Sequence, residues 1–131
     1  CIGIQPPANT QSLFDYAKDH RVCYLTAEQV FYERFEAQVT FINDFIARKD
    51  HLYVSICLDV FAECFAPGVS APQALGINPW STLQLLKMII QTGKVMSIDV
   101  AELSPRLDQG ERTSRLAAVL IAELLNLKEY Q

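Results

Sequence analysis

The hydrophobic pattern of the chain switches repeatedly between the two-residue period of strands and the longer period of helices. The clearest strand is residues 52–59, LYVSICLD, where Val54, Ile56 and Leu58 alternate with Tyr53, Ser55, Cys57 and Asp59. That alternation puts Cys57 and Asp59 on one face, a thiol beside a carboxylate where an apolar strand ends. Residues 1–5 (CIGIQ) read as the end of another strand, stopped by Pro6 and Pro7. Residues 22–27 (VCYLTA) and about 94–103 (KVMSIDVAEL) read as two more. The helical period predicts a helix over about 10–20, with Leu13, Phe14 and Ala17 on one face. A long amphipathic helix is expected from a Thr26/Gln29 capping box to about Arg48, with Phe35, Val39, Ile42, Phe45 and Ile46 apolar. Asn78 and Pro79 open a further helix that leaves at Gly93. Asp108 and Glu111 have capping-box spacing for a last helix, with Leu116, Val119, Leu120 and Leu124 inward.

Strand and helix alternate four times, and the strands are nearly continuous apolar runs. This predicts an α/β fold with a mainly parallel sheet between helices, a three-layer α/β/α arrangement. No internal repeat, low-complexity tract or linker divides the chain, so residues 1–131 are taken as a single domain. Residues 60–77, VFAECFAPGVSAPQALGI, break the rhythm. A connection this long is usually functional or disordered, and its Pro, Gly and Ala content with little charge argues against disorder. It leaves the carboxyl end of the Asp59 strand, the edge where parallel α/β sheets bind ligands.

Composition narrows the classes. Half of the 131 residues are hydrophobic, which supports a folded core. The net charge is -4 and no Lys/Arg cluster exceeds two residues, so no nucleic-acid partner is expected. No apolar run approaches the roughly 20 residues that span a bilayer, so no membrane partner is expected. Cys1, Cys23, Cys57 and Cys64 form no CxxC pair, and His20 and His51 have no metal-type spacing to them. Cys23 and Cys57 read as small buried hydrophobes, and all four as reduced thiols of a cytoplasmic protein. Cys1 stands inside a strand-like stretch, which suggests a piece of a longer polypeptide.

Among polar residues, Asp59 either binds a cation or caps backbone amides of the following loop. Cys57 is a core residue or a second ligand beside it. Glu102 is expected at the same sheet edge, as a site carboxylate or a solvated strand end. Asp99, deeper in its strand, needs a partner, and Arg112 or Arg115 is the expected one. Ser55 and Ser70 have no histidine near in sequence, so a hydrolase triad is set aside. There is no glycine-rich phosphate loop. Cys64 is a loop thiol without an activator, and Trp80 is taken as a packing anchor.

At this point a family emerges. SICLDVFAECFAPGVSAPQALG (55–76) resembles the ureohydrolase signature, in which a Ser-x-Asp-x-Asp strand precedes a loop with Ala-Pro-Gly and a further Pro. SIDVAELSP (97–105) resembles the family's later strand, an Asp, then Glu, then Pro. CIGIQPPANT, PGVSAP and ERTSRLAA look most like the formimidoylglutamase branch. The resemblance covers essentially the whole chain, and implies an arginase-like α/β/α fold holding two Mn2+ ions. It further implies hydrolysis of N-formimidoyl-L-glutamate to L-glutamate and formamide, in histidine degradation. Asp59 falls on a metal-ligand aspartate. Cys57 falls on the aspartate that bridges both metals, which is a departure, since manganese prefers oxygen. Glu102 matches the glutamate that holds the amidine end of the substrate, and Gln5 and Asn9 lie near the loop for its other end. The family's remaining metal ligands, a His and an Asp-x-His-x-Asp stretch, are not in this sequence. The chain therefore resembles a carboxyl-terminal half, expected to be inactive alone and to need either its missing half or oligomerisation. Two other readings remain: a guanidino-acting ureohydrolase of the agmatinase or arginase kind, and a non-catalytic α/β module with a degenerate metal site.

Overall fold

In the computed structural model, which describes residues 1–128, the alternation becomes two pairs of parallel strands. Strand β1 (Ile2–Ile4) pairs with β2 (Leu25–Thr26), and β3 (Leu52–Cys57) pairs with β4 (Val95–Ala101). Helices α1 (Gln11–Asp19), α2 (Ala27–Tyr32) and α3 (Phe35–Ile46) lie between β1 and β3 in sequence. Helix α4 (Pro79–Gln91) joins β3 to β4, and α5 (Arg112–Leu125) follows β4. Parallel pairing across helical crossovers agrees with the expected α/β layering. The four strands do not form one sheet here, because β1 and β3 have no ladder between them.

The main core joins β3, β4, α4 and α5. Ile56, Leu58, Leu83, Leu86, Leu120 and Leu124 are all buried in it, with Val54 and Val100 packed alongside. A second cluster sets Ile42 and Ile46 of α3 against Leu52 and Leu85. The opposite face of β3, bearing Tyr53 and Ser55, is exposed.

Several local expectations change on folding. The Thr26/Gln29 capping box forms, with Gln29 N donating to Thr26 Oγ1 at 3.2 Å and Thr26 N donating to Gln29 Oε1 at 2.9 Å. The helix it opens ends at Tyr32, because Glu33 and Arg34 are extended. Buried Gln38 holds that break by donating to Val30 O at 2.8 Å and Glu33 O at 3.3 Å, which supplies partners for two helix-end carbonyls. Helix α1 buries no residue, and Leu13 is exposed. Val119 and Trp80 are also exposed, so Trp80 is not a packing anchor. Asn78 caps α4 as expected, accepting from Trp80 N at 2.8 Å. At α5 the cap is Asp108 alone, which accepts from Thr113 N and Ser114 N. Glu111 is left-handed and pairs with Arg115 on the surface. The spacing gave the right aspartate and the wrong motif, since a capping box needs Glu111 to be helical.

The long connection is ordered. Phe61 is fully buried, as is Ala66, and bridges tie Phe61 to Ile77 and Ala62 to Gln73. Its apolar side chains fill the end of the core beyond β3, and this keeps it folded without regular structure.

Candidate functional site at the strand ends

Strand β3 stops at Cys57, and Asp59 sits in a single 3-10 turn, Leu58–Val60, immediately after it. Strand β4 stops at Ala101, whose register partner is Cys57, so Glu102 follows at the same edge. The shared edge expected for Asp59 and Glu102 is therefore formed, although neither side chain belongs to a strand. Glu102 takes a left-handed backbone, φ 69°, uncommon for a residue with a side chain.

A cavity of about 680 Å³ opens beside this edge. Every residue of β1 and of β3 lines it, while β2 and β4 contribute none. It is therefore a slot between the two unpaired strand edges, floored by Phe41, Ile42, Leu85 and Leu86. Gln5, Asn9, Cys57 and Asp59 all border it, so four of the five residues singled out from the sequence come together. Glu102 is not on its wall and is exposed. Gln5 Nε2 already donates to Leu75 O at 2.6 Å, and Asn9 Nδ2 to Gln5 O at 2.8 Å. These bonds fix the two amides but leave their carbonyl oxygens available.

Burial, then the adjacent Asp59 carboxylate and more weakly Glu102, push the Cys57 thiol up to about 12. The thiol thus keeps its proton near neutral pH and is a poor ligand as it stands. Among the described residues no group of three or more His, Cys, Asp or Glu side chains could hold a metal ion. Asp59 with a protonated Cys57 does not by itself fit a two-manganese centre.

Other expectations are corrected. Asp99 does not pair with Arg112 or Arg115. Its carboxylate accepts from Ser55 Oγ at 2.6 Å and from the Tyr53 hydroxyl, because register sets Ser55 directly opposite it. Cys23 is exposed and Cys57 half-buried, so neither is a core cysteine; all four cysteines are free. Ser70, set aside in the sequence, donates to Glu102 Oε2 at 3.1 Å. No local spacing signals that contact, since 32 residues separate the two.

An α/β chain that collects carboxylates and amides where parallel strands end is of the class that binds ligands at that edge. More narrowly, the chain belongs to the arginase family, whose model matches residues 1–126. It is 57% identical over 126 residues to the formimidoylglutamase of Legionella pneumophila strain Paris, an alignment covering 96% of this chain and 40% of that protein. It is 40% identical over 126 residues to the formimidoylglutamase of Clostridium tetani, covering 96% and 37% respectively. The crystal structure of formimidoylglutamase from Bacillus subtilis superposes with a TM-score of 0.90 at 27% identity, over 97% of this chain and 40% of that one. An arginase structure from Bacillus subtilis gives a TM-score of 0.84 at 23% identity, over 95% and 42%, which supports the fold alone. The chain thus spans about two fifths of the length of these relatives.

Proposed function

We propose that this chain is the substrate-gripping part of a longer hydrolase that converts N-formimidoyl-L-glutamate to L-glutamate and formamide. The observation that carries the reading is the 57% identity to a formimidoylglutamase across 96% of the chain. In this reading Glu102 accepts N–H bonds from the cationic formimidoyl group, for which a carboxylate is the matched partner. Gln5 and Asn9 face the glutamate end of the substrate from the β1 side. Asp59 would hold one ion of a manganese pair whose other donors lie outside these residues, and Cys57 would join it only by losing its proton to displacement by the metal. The histidine-degradation role and a cytoplasmic location belong to the same reading. Four free cysteines are compatible with that location, and no helix among the described residues is long and apolar enough to cross a membrane.

The slot between β1 and β3 supports a partner proposal. Its two walls are unpaired strand edges, which accept a further strand by main-chain hydrogen bonding. The occupant we propose is a strand from the part of the polypeptide that this chain does not span, with pairing between copies as the rival outcome.

The test is release of glutamate and formamide from N-formimidoyl-L-glutamate by the longer polypeptide, with arginine and agmatine as competitors and this chain alone as control. Faster turnover of either guanidino compound overturns the substrate assignment. Full activity of the 131-residue chain alone overturns the missing-donor reading. One observation favours a second reading, a non-catalytic module: Cys57 stands where the resemblance implies a bridging aspartate. Cys57→Asp separates the two. A gain of bound manganese and of activity supports a degenerate site, and no change in either supports a working site with the thiol.

A further inference from the structure

We infer that Ser70 and Thr113 are positioning residues for Glu102, through a lock that ties the 66–72 loop to the start of α5. The inference rests on the reading of Glu102 as the amidine-holding carboxylate. Glu102 is exposed at the end of β4, and among the described residues no cation forms an ion pair with it. A glutamate in that setting would sample many rotamers, whereas a planar cation needs its carboxylate in one plane. Ser70 Oγ donates to one oxygen, Oε2, at 3.1 Å and leaves Oε1 free for a ligand.

Ser70 is fixed in turn by its loop. Ser104 N, two residues past Glu102, donates to Gly68 O at 2.8 Å, so the loop and the end of β4 share a main-chain bond. Gly68 N donates to Thr113 Oγ1 at 2.7 Å, and Thr113 is fully buried. The approach is close enough to demand glycine: a Cβ on Gly68 would stand 2.5 Å from Asp108 Cβ and 2.7 Å from its Cα. Asp108 cannot easily yield, since it accepts from Thr113 N at 2.9 Å, Ser114 N at 2.8 Å and Ser114 Oγ at 2.7 Å. Contacts therefore run unbroken from Asp108 and Thr113 through Gly68 and Ser70 to Glu102. Buried Thr113 is polar, and its side chain serves both ends of the lock, accepting from Gly68 N and donating to the Asp108 carboxylate. A fold that needed only packing at this place would be served by valine, which has the same shape.

The experiment uses the longer polypeptide assayed on N-formimidoyl-L-glutamate. Ser70→Ala is expected to raise KM about tenfold, the fold-change of one hydrogen bond to a charged group, with kcat changed less. Thr113→Val should act in the same direction and Thr113→Ser should restore the wild-type KM. In a Glu102→Gln background both Ser70→Ala and Thr113→Val should add little, because the group they position is gone. Unchanged KM in Ser70→Ala, or a Thr113→Val effect equally large with and without the Glu102 carboxylate, overturns the inference. Amide hydrogen exchange reads the lock without turnover: the Gly68 amide should exchange slowly in this chain and quickly in Thr113→Val. A wild type that leaves the substrate intact while showing that exchange pattern overturns the proposed function and retains the lock; a Gly68 amide that exchanges alike in both overturns the lock.

Discussion

Gly76→Ala should destabilise this chain by about 2–4.5 kcal/mol although it adds only one methyl group. An ideal Cβ at Gly76 falls 2.3 Å from Ala62 N, 2.3 Å from Phe61 C and 2.5 Å from Phe61 O, where ordinary contact begins at 3.4 Å. All three are backbone atoms, so no side-chain rotation relieves the clash, and the two segments must separate by about 1 Å. Two hydrogen bonds cross that gap, Ala62 N to Ile77 O at 3.3 Å and Ile77 N to Val60 O at 2.9 Å. Their net worth is about 1 kcal/mol each, and strain from overpacking adds about 1–3 kcal/mol. Against this, alanine lowers the entropy of the unfolded chain, a gain of about 0.4–1 kcal/mol. Urea unfolding followed by circular dichroism reads the balance. With a slope of about 2 kcal/mol per molar, the midpoint should fall by about 1–2.3 M at unchanged slope. A midpoint within about 0.3 M of wild type would refute the claim that backbone proximity, and not chance, puts glycine here.

Two further outcomes follow from ionisation. For Asp108, burial by itself would raise the carboxyl, but hydrogen bonds from the Ser114 hydroxyl and the Thr113 and Ser114 amides outweigh it and hold the group at about 2, below its ordinary 3.8. A depressed native pKa stabilises above the unfolded value and is lost as pH falls towards 2, so Asp108→Asn should flatten the fall in thermal midpoint between pH 4 and 2; an unchanged slope counts against it. For Cys57, a thiol at about 12 should alkylate far more slowly at pH 8 than exposed Cys64, read site by site by mass spectrometry in metal-free protein. Asp59→Asn removes the neighbouring charge and should speed the Cys57 reaction; a rate unaffected by that change means burial alone protects it.

Much of this was written in local sequence. The Thr26/Gln29 box, the Asn78 cap and the alternation that placed Val54 and Ile56 inward depend on residues a few positions apart. Local chemistry decides such features before the chain is folded. The order of strands and helices also sufficed for an α/β class, and the 55–76 loop for its family. The same reasoning misjudged whatever depends on distant neighbours. Asp99 was matched with an arginine by charge, yet strand register offered it the hydroxyls of Ser55 and Tyr53. A helix period ran through 33–34, yet Gln38 reaches back across the break.

The sequence by itself singled out the residues proposed to carry chemistry: Cys57, Asp59, Glu102, Gln5 and Asn9. Residue type and the loop they flank are one-dimensional properties. Tertiary structure decided how they are shared out. It sets Gln5, Asn9, Cys57 and Asp59 around a slot between two unpaired strand edges, and holds Glu102 outside it under Ser70. The physical reason is that a sheet edge, its register and a buried Thr113 are made by segments 30 to 60 residues apart. Only packing against a common core fixes where such segments meet.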